Sequence, residues 1–178
     1  MKKQSSTKKV AFLGLSASLA LLLSYVEFLL PPLYAAVPGI KIGLPNVIIL
    51  CVLYCMSTKA AACVSFVRLC VSSLLFGNPV MFAYSAAGAI LSLLMMIILK
   101  KTDKLSCVGV SVAGGVAHNL GQILIAVFLL NTPQIAYYMV VLTVTGTISG
   151  VFVGLLGAYL VKRLSKRFIR QIKFRNRY

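Results

Sequence analysis

Six apolar runs, separated by short polar or proline- and glycine-containing breaks, account for most of this 178-residue chain. A membrane-spanning helix needs about 20 mostly apolar residues, within a range of about 17–25. The runs cover residues 10–30, 44–56, 60–76, 80–99, 105–130 and 135–161. They predict an all-α integral membrane protein, a bundle of six transmembrane helices. The second run is short, so we expect its helix either to begin earlier, within 41–43, or not to cross fully.

The basic residues lie between the runs in a pattern typical of membrane proteins. All of the 18 lysines and arginines except Lys41 and Arg68 lie before residue 10, at residue 59, within 100–104 or after residue 161. Alternation of six spans puts these four places on one side, and basic loops favour the cytoplasm. We therefore expect both termini in the cytoplasm, with a basic N-terminus (1–9), a membrane domain (10–161) and a basic tail (162–178).

The surplus of positive charge indicates the lipid bilayer as a partner. A net charge of +16 in a soluble protein would suggest nucleic acid, but its confinement to alternate loops argues against that class. The tail carries apolar residues at four-residue spacing, which predicts an amphipathic helix. Such a helix either lies on anionic lipid or forms a docking surface for a cytoplasmic partner.

Small residues recur at four-residue spacing within the runs. The last run has Gly146, Gly150 and Gly154, and the first has Ser16-x-x-x-Ala20. Small side chains let helix backbones approach closely in lipid. We interpret both series as helix-packing surfaces, of which one pair faces either a neighbouring helix or another subunit.

A few polar side chains interrupt the apolar runs, and these are the candidate site residues. Charged and polar groups inside a membrane usually face a cavity or a partner. The set consists of Glu27, Arg68, His118, Asn119 and Gln122, with Asn46 near the edge of its run. Arg68 and His118 fall near the middle of their runs. Two interpretations stay open: an ion pair of Glu27 with Arg68 and interhelical hydrogen bonds, or a substrate site lined by these residues.

Several kinds of chemistry are excluded by what the sequence lacks. It has no G-x-x-x-x-G-K-[ST] motif for binding a nucleotide phosphate. Glu27 and Asp103 are its two carboxylates, and the predicted topology places them on opposite sides, which excludes paired acid–base catalysis and magnesium–diphosphate chemistry. One histidine and no C-x-x-C pair leave no zinc set. We expect no enzyme activity, no metal and no cofactor.

Three segments carry a resemblance to a known family. They are PGIKIGLPNVIILCVLY (38–54), VRLCVSSLLFGNP (67–79) and VSVAGGVAHNLGQ (110–122). The chain resembles the Gx transporter family, also labelled heptaprenyl diphosphate synthase component I, over about residues 10–160. That family is similar to the substrate-binding S components of energy-coupling factor (ECF) transporters.

The resemblance implies a six-helix subunit of the bacterial cell membrane with a pocket capped by a loop at 38–46. Lys41 and Asn46 would close the pocket, Arg68, His118, Asn119 and Gln122 would line it, and Glu27 would pair with Arg68 or hold the loop. S components often carry Ala-x-x-x-Ala in the first helix to contact the coupling subunit; Ser16-x-x-x-Ala20 departs from that pattern.

Two functions remain as hypotheses. The first is a transporter subunit that binds a small or amphiphilic substrate, linked by the resemblance to flavin, quinone or isoprenoid metabolism and partnered by an ATP-driven energy-coupling module. The second is a non-transporting membrane subunit of an extracellular electron-transfer or prenyl-quinone (heptaprenyl diphosphate) synthesis complex. Neither hypothesis names the substrate.

Overall fold

The computed structural model describes residues 2–30, 43–131, 134, 137 and 139–175, and the side chains of 7–30, 43–131, 134, 137 and 139–164. Within these residues the chain is helical. The helices are α1 (Lys2–Leu29), α2 (Asn46–Cys55), α3 (Thr58–Phe76), α4 (Pro79–Thr102), α5 (Cys107–Leu130) and α6 (Met139–Arg175). α1 and α6 extend past their apolar runs because lysine and arginine are good helix formers and continue the hydrogen-bonded backbone.

Polar side chains in or next to the predicted breaks begin three of the helices. Ser57, Asn78 and Ser106 each accept a hydrogen bond from the backbone N–H three residues later, at the starts of α3, α4 and α5. Such side chains satisfy amide groups that the first turn of a helix leaves without a partner. Pro79 at the first position of α4 also favours initiation there.

Helices α1 and α3 run parallel, and aromatic rings join their ends. Phe28 and Tyr25 on α1 both pack against Phe76 on α3, with ring centroids 5.2 and 5.6 Å apart. We call the end of the bundle that holds these rings the loop end. The opposite end holds Lys59, Lys100, Lys101 and Lys162, and we call it the basic end.

Helices α4, α5 and α6 form an antiparallel layer whose backbones approach closely through glycine. A Cβ atom added at Gly121 on α5 would lie 2.6 Å from the carbonyl oxygen of Ala87 on α4. A Cβ atom at Gly150 on α6 would lie 2.6 Å from the Cα of Val112 on α5. Contacts this short leave no room for a side chain, so both helix pairs depend on glycine, as close packing in lipid predicts.

The second apolar run forms the short helix α2. Its 10 residues rise about 15 Å, against a hydrocarbon core of about 30 Å. Five longer helices are long and apolar enough to cross a membrane, so the prediction of six spans is confirmed for five. The short run 44–56 forms a helix that starts at Asn46, not within 41–43, and that is shorter than the five candidate spans.

Helix α2 begins about halfway along the bundle. It follows a turn at Gly43–Pro45, and a Cβ atom at Gly43 would lie 3.8 Å from the His118 ring. His118 is about 17 Å from either end of α5 at 1.5 Å per residue. From this turn α2 runs to the basic end, where its residues Ile49, Leu50, Val52 and Leu53 form the centre of the apolar core.

Candidate functional site

The polar residues singled out from the sequence are all buried within the helix bundle. Arg68, His118, Asn119 and Gln122 are at most 5% exposed, as residues facing lipid would not be. Glu27 and Asn46 are 6% and 7% exposed. Because polar groups in an apolar interior need hydrogen-bond partners, the contacts of each residue indicate what it can do.

Glu27 holds the turn that precedes α2. Its Oε1 accepts a short hydrogen bond from the backbone N–H of Gly43 and lies 3.4 Å from the N–H of Leu44. A carboxylate that receives amide hydrogens in this way makes one of the stronger kinds of hydrogen bond. The Glu27 side chain therefore contacts the turn at Gly43 and Leu44.

Arg68 lies near the middle of α3 and is buried. The Nε atom of Arg68 is buried and makes no hydrogen bond to any described residue. An unsatisfied donor on a buried cation has a desolvation cost of about 1–3 kcal/mol or more. Arg68 is thus the buried side chain with the clearest capacity to bind an additional acceptor.

The turn itself packs against α5. Gly43 has a φ of +85°, a backbone conformation that glycine adopts at little cost. A Cβ atom there would lie 2.9 Å from Nδ2 of Asn46 and 3.8 Å from Cδ2 of His118. Glu27, Asn46 and His118 therefore meet at one place, from three different helices.

His118 and Asn119, neighbours in the sequence, contact different helices. The ring of His118 packs over Gly88 on α4, where a Cβ atom would lie 2.9 Å from Cε1. Asn119 donates from Nδ2 to the carbonyl oxygen of Leu142 on α6, at 2.8 Å. Gln122 is fully buried. The interhelical hydrogen bond proposed as one interpretation is present for Asn119.

A small cavity, lined in part by polar side chains, lies beside the turn, toward the basic end. Its volume is about 10 Å³, room for about one water molecule. Its polar lining comes from Asn46, Ser92, Ser111 and Ser149, and Gly43 also lines it. Ser92 is 1% exposed, and its Oγ makes no hydrogen bond to the described residues.

Sequence reasoning missed the three serines of this cavity. Single serines in apolar runs are common, and a serine hydroxyl can satisfy itself on its own helix backbone, as Ser149 does on Gly146. The available signal was their spacing: Ser111 lies three residues before Gly114, and Ser92 lies four after Gly88. Each serine is thus on the small-residue face of its helix, where another helix comes close.

The small-residue series pack within the chain. Gly146, Gly150 and Gly154 all face α5, so another subunit cannot reach them without separating α5 from α6. Ser16 and Ala20 are also buried, at 5% and 0% exposure, and Ala20 belongs to the core around α2. Lys41, the remaining candidate residue, lies outside the described residues.

The assembled site is suited to hydrogen bonding and charge compensation. No group of three His, Cys, Asp or Glu side chains in the described part of the chain is arranged to hold a metal ion. Among the described residues, the Glu27 carboxylate, the Asn46 amide and the His118 imidazole meet at the turn, beside the serine hydroxyls of the cavity. Groups of these kinds can form hydrogen bonds with a polar molecule or with an ordered water.

Five long apolar helices define a multi-pass membrane protein. A family profile described as heptaprenyl diphosphate synthase component I matches residues 16–160. The chain belongs to that family, as the sequence resemblance predicted. The matched region includes Glu27, Arg68, His118 and the turn at Gly43. Searches of curated proteins and of solved structures each return no match.

Proposed function

We propose that this protein is a transporter subunit of the bacterial cell membrane that binds a small polar or amphiphilic substrate at its buried polar centre. The observation that supports this most is the turn at Gly43–Pro45, which Glu27 holds at mid-depth beside a small cavity lined in part by polar side chains. Irregular backbone at membrane depth is tolerated where protein buries it or where it lines a cavity, as in transporters.

The buried charges favour a binding role over a purely structural one. Arginine at mid-depth in a helix costs at least about 2.5–3.5 kcal/mol on insertion scales. If Arg68 served only to pack the helices, an apolar residue would give the same stability, since apolar residues often replace buried ion pairs without loss of stability. The Nε–H of Arg68, which has no acceptor among the described residues, would donate a hydrogen bond to the substrate.

The cavity formed by the described residues is small. A volume of about 10 Å³ is far below the roughly 300 Å³ of a small-molecule site, so binding requires a movement that enlarges it. The turn is the element best suited to move, because one carboxylate attaches it to α1 and α2 is short. Lys41 and Asn46 would close the site again over the bound substrate, and Gln122 and Asn119 would support its far wall.

We infer that the protein is not an enzyme and that energy for transport comes from a partner. The chain has no P-loop motif and two carboxylates. An ATP-driven coupling module would supply the energy, docked at the basic end, which the positive-inside rule assigns to the cytoplasm. Flavin, quinone and isoprenoid precursors are the substrate classes to test first.

The family description favours a second candidate. Its wording, heptaprenyl diphosphate synthase component I, names a part of a synthase, which corresponds to a non-transporting membrane subunit of a prenyl-quinone synthesis or electron-transfer complex. The two candidates differ in what they bind on the cytoplasmic side. Mild extraction with an affinity tag separates them: an ATPase module recovered with the chain supports transport, and a soluble synthase or redox protein supports the second function.

Native mass spectrometry of the gently extracted protein tests the binding site directly. We expect a small-molecule adduct on the wild-type protein and its loss in Arg68→Gln, which removes the charge but keeps a polar side chain. Lys101→Gln is the matched control, since it removes an exposed charge at the basic end. An adduct that persists in a folded Arg68→Gln variant would show that Arg68 has only a structural role.

A further inference from the structure

The small cavity beside the turn lies where four helices meet. Its polar lining consists of Asn46, the first residue of α2, Ser92 of α4, Ser111 of α5 and Ser149 of α6. A molecule bound in this cavity would therefore contact α2 and all three helices of the α4–α6 layer. The hydrogen-bonding state of the lining side chains indicates which kind of molecule that is.

Glycines provide the space for this cavity. Gly114, Gly115 and Gly150 are part of its lining. A Cβ atom at Gly114 would lie 3.3 Å from Oγ of Ser92, so the space beside the Ser92 hydroxyl depends on the missing side chain at residue 114. The volume of about 10 Å³ corresponds to one water-sized molecule.

The hydroxyl of Ser92 requires a partner that the described residues do not supply. Ser92 is 1% exposed, and its Oγ makes no hydrogen bond to them. A serine within a helix often donates to the carbonyl oxygen four residues earlier, as Ser24 does to Ala20 at 3.0 Å, but Ser92 does not make this bond. Because a buried hydroxyl without a hydrogen bond costs free energy, we expect its acceptor to lie in the cavity.

Ser149 offers the cavity an acceptor. Its Oγ donates to the carbonyl oxygen of Gly146 on its own helix, at 3.2 Å, so its hydrogen is used and its lone pairs remain. The side-chain amide of Asn46 contains both a donor and an acceptor. A molecule that satisfies Ser92 and also bonds to Ser149 must therefore accept one hydrogen bond and donate another.

The lining favours a neutral molecule. No charged side chain is among the described residues that line the cavity, and a buried ion without an opposite charge has a large desolvation cost. A metal cation also has no lone pair to accept the hydrogen of Ser92. Water is neutral, has the required size, and both donates and accepts hydrogen bonds.

We propose that this cavity binds one ordered water molecule, which accepts a hydrogen bond from Ser92 of α4, donates one to Ser149 of α6 and bonds to Asn46 at the start of α2. Buried waters of this kind typically make about three hydrogen bonds and are costly to remove. The water connects α2 to the α4–α6 layer, in addition to the attachment of the turn to α1 through Glu27. This site does not depend on the proposed transport function.

A double-mutant cycle tests whether Ser92 and Ser149 share a bound molecule, since they make no direct hydrogen bond with each other. Ser92→Ala, Ser149→Ala and the double variant are compared by reversible unfolding in mixed detergent micelles. We expect Ser92→Ala to raise the unfolding equilibrium constant about 2- to 10-fold, for the loss of one hydrogen bond. The double variant should raise it by less than the product of the two single effects.

Ser24→Ala is the matched control. Ser24 is also a buried serine, at 3% exposure, but it donates to its own helix and does not line the cavity. Combined with Ser92→Ala, it should change the unfolding equilibrium constant by the product of the two single effects. An experimental map in which ordered waters are visible should show a density peak within hydrogen-bonding distance of Oγ of both Ser92 and Ser149.

Three results would overturn the proposal. A lower unfolding equilibrium constant in Ser92→Ala would mean that the Ser92 hydroxyl is buried without any partner. Effects of Ser92→Ala and Ser149→Ala that multiply, with no density peak between the two serines, would mean that no molecule joins them. Coupling that disappears when choline chloride replaces the sodium and potassium chloride of the buffer would mean that the bound species is a monovalent cation.

Discussion

The carboxylate of Glu27 accepts the backbone N–H of Gly43, 16 residues further along the chain. This hydrogen bond joins the last turn of α1 to the turn that begins α2, across a segment of 12 residues, 31–42, that lies outside the described structure. The position of α2 at the centre of the bundle therefore depends on a side chain of another helix.

Replacing Glu27 should loosen this attachment in a graded way. Glu27→Ala removes the acceptor and leaves buried amides unsatisfied, for an expected loss of about 1.5–3 kcal/mol of unfolding free energy. Glu27→Gln keeps a neutral acceptor and should lose less. Reversible unfolding in mixed detergent micelles measures both, and equal stability of wild type and Glu27→Ala would contradict the role described here.

Gly43→Ala should destabilise the turn. An L-residue at a φ of +85° is strained by about 1–2 kcal/mol, and the new methyl group would lie 2.9 Å from the Asn46 amide. Gly14→Ala is the matched control, because nothing lies within 4 Å of that position and its helix is regular. The Gly14→Ala control should gain about 0.5–1 kcal/mol of unfolding free energy. The thermal unfolding temperature should therefore fall in Gly43→Ala and rise in Gly14→Ala.

Gly150→Ala should separate α6 from α5. The added Cβ atom would lie 2.6 Å from the Cα of Val112, and backbone cannot rotate away as a side chain does. Overpacking of this kind costs about 1–3 kcal/mol. Gly109→Ala introduces the same atom on α5 with its nearest neighbour at 3.5 Å, so it should be tolerated. Similar stability of the two variants in detergent unfolding would argue against close α5–α6 packing.

Lys100 should stabilise the far end of α2. Its Nζ donates to the carbonyl oxygen of Leu53 at 2.5 Å and lies 5.0 Å from the centre of the Tyr54 ring. Lys100→Met leaves a terminal carbonyl of α2 without its donor, for an expected loss of about 0.5–1.5 kcal/mol. Lys101→Met, at an exposed position, should change little. Proteolysis at the α2–α3 break compares the two, and equal cleavage rates would count against this anchor.

The long helices were predictable because hydropathy alone determines them. Apolar runs of about 20 residues have few alternatives to a spanning helix, and Ser57, Asn78 and Ser106 mark helix starts by local chemistry. The depth of α2 was not predictable, because it depends on the contact between Glu27 and Gly43, which are not adjacent in the sequence. Sequence spacing indicates that residues share a helix face but not which neighbour that face meets.

The burial of the candidate site residues was predictable, and their arrangement was not. Arg68 and His118 were identifiable because polar groups are rare and costly in lipid. Asn119 and His118 are consecutive, so they are about 100° apart around α5, and one contacts α6 while the other contacts α4. The serines of the cavity could not be identified in this way, since a single hydroxyl costs little free energy to bury when it donates to the backbone of its own helix.

The short length of α2 also bears on how a molecule would pass through the protein. Ten helical residues separate the turn from the basic end, a rise of about 15 Å against the roughly 30 Å of a hydrocarbon core. A molecule that crossed along the axis of the bundle would have to pass α2 over only the half of that thickness nearer the basic end.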